Sequence, residues 1–94
     1  MEQIVINIGE QKNKELARTA AGMASADYKE RFKAEYVQIK NCYEGLKAMV
    51  EKWDNGMLPF TPTCPRATYK LQLDSMKKYK DILEVRAKIE GVEL

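Results

Sequence analysis

The stretch FTPTCPRATYK, Phe60 to Lys70, sets Arg66 directly behind Pro65, with Thr61 and Thr63 upstream and Thr68, Tyr69 and Lys70 downstream. Proline pre-sets its own φ and favours a helix start, so Arg66 should open a helix. Unpartnered N–H groups and a partial positive charge gather at such an end. Acidic side chains usually offset that charge, yet this first turn contains none. A cation there is mildly unfavourable unless an anion comes to it. Arg66 and Lys70, the hydroxyls of Thr61 and Thr63 and the ring of Tyr69 together form a set that can hold a phosphate group. The plainer reading is a proline-started helix, capped by Thr61 or Thr63, with a solvated arginine.

A second cluster lies in DYKERFK, Asp27 to Lys33, where Tyr28, Lys29 and Arg31 fall in an opening helical turn; Lys12, Asn13 and Lys14 lie upstream. A purine could stack on Tyr28 while Lys29 or Arg31 meets a phosphate. The competing reading is a solvated helix face with pairs such as Arg31–Glu35.

Other chemistry is excluded more firmly. The 94 residues include no histidine, which removes the commonest general base and metal ligand. Cys42 and Cys64 have neither zinc spacing nor a CxxC pattern. They read as two buried or half-buried thiols, too far apart along the chain's elements to bridge. Glu30, Glu35, Glu44, Glu51 and Asp74 are scattered as on a solvated surface. No GxxxxGK[ST] or GxGxxG pattern occurs. The chain is therefore read as a binder and not an enzyme, with no cofactor. With 16 basic and 14 acidic residues the net charge is +2, too balanced for a dedicated binder of long nucleic acid, although Lys77, Lys78 and Lys80 keep a weak one in view. No apolar run is long enough to span a membrane. Met1–Gly9 lacks the basic and apolar regions of a signal peptide, which points to an intracellular protein.

The elements that position these residues follow from periodicity. Phe32, Tyr36, Ile39, Tyr43, Leu46, Val50 and Trp53 are spaced 4, 3, 4, 3, 4 and 3 apart, a heptad seam with aromatics at four of its seven positions. Ser25 or Asp27 would cap this helix, with Asp27 and Glu30 in capping-box spacing, and Asp54-Asn55-Gly56 would end it. Met57–Pro65 holds all three prolines and is a stiff connector. A second long helix then carries Tyr69, Met76 and Leu83, flanked by Leu73, Tyr79, Ile82 and Ile89, and stops at Gly91. Two long helices and a short turn make an antiparallel hairpin. Glu10–Ala24 reads as a short helix with Leu16, Ala17, Ala20, Ala21 and Met23 on one face and Gly22 weakening its end. Ile4, Ile6 and Ile8 allow a short extended piece. The expectation is one all-α domain over 1–94, with an N-terminal segment (1–24) and a helical hairpin (25–92). Leu71, Val85 and Val92 fall off the line of the last helix, and a lone hairpin would leave that stripe wet, so self-association should cover it.

The block Gln72, Met76, Tyr79, Ile82, Leu83 and Arg86, closing a long helix that a Pro/Thr turn and a basic residue begin, resembles the small hairpin proteins by which phages defeat CBASS and, in longer relatives, Thoeris immunity. The resemblance covers roughly Tyr28 to Gly91. It implies a homohexamer acting in the cytoplasm of the infected bacterial host, which binds cyclic oligonucleotide signals such as cyclic GMP-AMP or cyclic tri-AMP without cleaving them. It implies one pocket for cyclic dinucleotides between paired protomers, for which Tyr28, Lys29, Lys12 and Asn13 are the candidates here. It implies another for cyclic trinucleotides near a three-fold axis, where Arg66 matches the family's phosphate-binding arginine and Thr61, Thr63, Tyr69 and Lys70 surround it. No aromatic residue stands in the segment Glu10–Ala24, a departure from the family's dinucleotide pocket. The rival reading is an adaptor hairpin that binds a partner protein's helix.

Overall fold

A computed structural model of the chain describes residues 14–94. Three helices and no strand occur among them: α1 (residues 14–23), α2 (Tyr28–Asp54) and α3 (Arg66–Glu90). The proposed extended piece in Met1–Gly9, the start of the first helix, and Lys12 and Asn13 lie outside the described residues. No helix among those described is long and apolar enough to cross a membrane.

The helix ends follow local chemistry. Asp27 is the N-cap of α2, and its carboxylate accepts a hydrogen bond from the Lys29 N–H at 2.9 Å. A full capping box does not form. Ser25 Oγ takes the Asp27 N–H at 3.0 Å, which leaves Glu30 to pair with Lys33 at 3.6 Å. Arg31 donates to the Ser25 carbonyl at 2.8 Å rather than pairing with Glu35. At the other end Asn55 closes α2. Helix α3 stops at Gly91, whose φ of 70° only glycine adopts cheaply. The Val92 N–H then returns to the Ala87 carbonyl at 2.8 Å, a Schellman closure that turns Val92 into the core.

The seam of α2 is oriented as its spacing requires: none of its seven apolar residues is exposed. Helix α3 packs antiparallel against it, and Phe32, Leu83, Ala87 and Val92 form the core cluster with Tyr36 and Ile39 against it. Polar side chains stitch the two helices across the seam. Tyr36 donates to Glu84 at 3.2 Å, Tyr79 bonds to Glu35, and Arg86 lies over the Phe32 ring at 4.8 Å while donating to the Tyr28 hydroxyl at 3.1 Å.

Helix α1 docks differently from the expectation. Ala17, Ala20, Ala21 and Met23 are exposed. The contact line is instead Glu15, Thr19 and Gly22, spaced four and then three residues apart. Asn41 donates to Glu15 at 3.2 Å, and Gln38 donates to the buried hydroxyl of Thr19 at 3.0 Å. A Cβ at Gly22 would stand 2.8 Å from that of Ala34. Gly22 therefore does more than weaken a helix end: it lets two backbones approach.

Candidate ligand-binding corner

The corner between α2 and α3 holds most of the residues singled out as phosphate-binding. Helix α3 begins at Arg66 with Pro65 as N-cap, no side-chain capping hydrogen bond and no acid in the first turn. Neither Thr61 nor Thr63 caps it: Pro65 already fixes the chain into the helix, and both threonines are exposed in the connector. The first turn closes only by the Thr68 N–H donating to the Pro65 carbonyl at 3.0 Å.

Arg66 is not loose. Its Nε and Nη2 donate to the two carboxylate oxygens of Asp54, each at 3.0 Å, in a fork that joins the start of α3 to the end of α2. This bond holds the Asp54 carboxyl below its ordinary value and raises the guanidinium above its own. A guanidinium has five N–H donors; the fork engages two and leaves the rest of the planar group to meet an anion. Tyr69, one turn on, sets its ring edge against Trp53, with centroids 5.9 Å apart and planes at 83°. Loss of solvent around it pushes its hydroxyl above the usual phenol range, and Cys64 adds to the shift. Lys70 pairs with Asp74 at 2.9 Å. The corner is thus a rigid post, Arg66 with Tyr69 behind it, and both are tied to the last residues of α2. Asp54 and Trp53 were read from sequence only as a helix stop and the end of a seam. Their role in the corner shows only once the hairpin folds back.

The second candidate set is less assembled. Tyr28 sets its ring edge on Phe32 at 6.2 Å and accepts from Arg86, so it is built into the hairpin, although half-exposed. The Lys29 side chain is exposed beside it. Arg86 stands in the block that carried the family resemblance, but its contact with Tyr28 was not foreseen. A groove of about 670 Å³ runs between α1 and α2, lined among others by Arg18, Thr19, Lys33, Tyr36 and Lys40, with Glu15, Glu30 and Glu44 interleaved. Sequence reading passed over it because Gly22, which brings its walls together, looked like a helix breaker.

Cys42 and Cys64 are free and both exposed, against the expectation of buried thiols. Cys64 sits in the connector, and Cys42 lies beside the seam rather than on it. No group of three or more side chains able to hold a metal ion occurs among the described residues.

No curated protein and no solved structure matches this chain. A family model does match: that of Sequestin, over residues 26–89, from the residue before the N-cap of α2 to the last turn of α3. The matched span is well over half of the chain and contains the whole hairpin and its corner, and the chain belongs to the Sequestin family.

Proposed function

We propose that the protein is a non-catalytic sponge, which binds cyclic oligonucleotide second messengers and withholds them from CBASS-type immunity in the cytoplasm of an infected bacterial host. The family's name points to sequestration. The observation that carries the ligand class is the corner: an uncapped, acid-free helix start with Arg66 held in place by Asp54. A cyclic trinucleotide has three phosphates related by three-fold symmetry. Three copies of Arg66 around an axis, each beside a helix N-terminus and each with guanidinium N–H groups that the Asp54 fork leaves unengaged, match it in symmetry and offer each phosphate hydrogen-bond donors. Thr61 and Thr63 then supply hydroxyls at the rim, and Lys70 gives further positive charge one turn deeper. Tyr28 and Lys29, with Lys12 and Asn13, remain the candidates for a cyclic dinucleotide.

Sequestration requires no nucleophile, base or metal. A binder lowers the free signal by mass action alone, to an extent set by its concentration relative to Kd. The protein is therefore expected to act in stoichiometric amounts. The test is to load it with cyclic tri-AMP or cyclic GMP-AMP, remove free ligand, denature by heat and identify what is released. Recovery of intact ligand supports the sponge. Recovery of linear product shows an enzyme, and no retained ligand removes the reading.

One observation favours the adaptor alternative, in which the hairpin binds a partner protein's helix: α3 exposes Leu71, Ile82, Val85 and Ile89. A stable complex with one host protein, with the hairpin itself monomeric, would support it.

A further inference from the structure

Asp54 and Arg66 each sit at the helix end that disfavours their charge. Asp54 is the last residue of α2, where the helix dipole is negative, and Arg66 is the first residue of α3, where it is positive. Stability alone would favour the two charges exchanged. The fork between them is half-exposed on both sides, and such pairs contribute little to folding. A pair that breaks a local rule without a matching gain in stability points to function.

We infer that Asp54 is a positioning residue for the anion site at the corner: its carboxylate sets the plane and direction of the Arg66 guanidinium, and binding needs this acid although the ligand is itself an anion. The inference rests on the trinucleotide reading of the corner. Nε and Nη2 of Arg66 each donate to one Asp54 oxygen at 3.0 Å, so the fork takes one edge of the planar group. The edge formed by Nη1 and Nη2 remains, and it can meet a phosphate with two parallel hydrogen bonds. Because the group is planar, fixing the first edge fixes the second. An arginine without the fork turns about the bonds of a long stem, and a ligand that holds it must remove that freedom. With the fork, the freedom is already lost on folding. The carboxylate is itself braced: Trp53, next to Asp54, packs against Tyr69, three residues after Arg66, with ring centroids 5.9 Å apart.

Charge alone gives the opposite sign. Asp54 places a negative charge beside the group that would meet a phosphate, and its carboxyl stays ionised at neutral pH because Arg66 holds it below its ordinary value. On Coulomb grounds its removal should tighten the binding of an anion. On positioning grounds its removal should weaken that binding.

The experiment titrates cyclic tri-AMP into the whole chain as wild type, Asp54→Ala and Asp54→Asn, at neutral pH and moderate salt, with melting temperature and native mass measured for each. Both substitutions remove the same charge, but asparagine keeps a side-chain oxygen that can accept from Arg66. The expected result is an affinity weaker than wild type by about tenfold or more for Asp54→Ala, a smaller loss for Asp54→Asn, and native mass and melting temperature close to wild type in both. Equal or tighter binding by Asp54→Ala overturns the inference. So does a weakening that comes with a fall in native mass or melting temperature, which would make Asp54 a structural residue. No binding by wild type removes the proposed site itself, and the inference with it.

Discussion

The two ends of the hairpin are held by different forces. At the open end of the chain's path, where α2 begins and α3 finishes, Phe32, Leu83, Ala87 and Val92 are buried together. At the corner the fastenings are an ion-pair fork and one aromatic pair, Arg66–Asp54 and Trp53–Tyr69, with Val50 the buried residue nearest along the chain. Burial of apolar area is non-directional and strong. Exposed ion pairs are directional and contribute little. The division suits a binding protein: the core end sets stability, and the corner sets geometry and keeps its charges within reach of solvent.

Substitutions at the two ends should therefore separate stability from ligand binding. The largest expected effect is Leu83→Ala, which empties the most buried side chain of the core and should cost about 3 kcal/mol of unfolding free energy in a denaturant titration. Loss of no more than a few tenths would mean that the core is not where the contacts place it. Gly22→Leu should force α1 away from Ala34 and cost about 2 kcal/mol, unless α1 detaches freely, in which case the denaturation midpoint would hardly move. Gly91→Ala puts a Cβ in the left-handed region, and about 1 kcal/mol is expected.

At the corner the expected stability effects are smaller and depend on pH. Asp54, Asp81 and Glu84 all have pKa values lowered by their cationic partners. Their pairs contribute above the ordinary values of 3.8 and 4.5 and lose that contribution as pH falls through the lowered folded values. Melting temperature should then hold between pH 7 and 5 and decline below about 4. Asp54→Asn should flatten a small part of that decline and leave the core unfolding transition intact.

Much of the fold was legible because the signals were periodic. The seam from Phe32 to Trp53 is spaced for one helix face, and the structure keeps every member from exposure. Gly91 and Asn55-Gly56 stop the helices where glycine and asparagine are expected to. What was not legible depended on partners distant in sequence. Nothing local says that Arg66 will fork onto Asp54, that Tyr79 will meet Glu35, or that Gly22 faces Ala34. The alanines of α1 misled because small apolar residues have little burial energy to direct them, whereas Thr19 found a specific hydrogen bond from Gln38. The candidate site was half visible: Arg66 and the absence of acid beside it could be read directly, but its support from α2 could not.

The most direct test of the central claim is a calorimetric titration of cyclic tri-AMP into the wild-type protein and into Arg66→Ala, at moderate salt, with the native mass of both measured. The account predicts one ligand bound per three chains of wild type, and no detectable heat with Arg66→Ala at unchanged mass and melting temperature. Equal binding by the two proteins, or one ligand bound per single chain, would contradict a site built from converging corners.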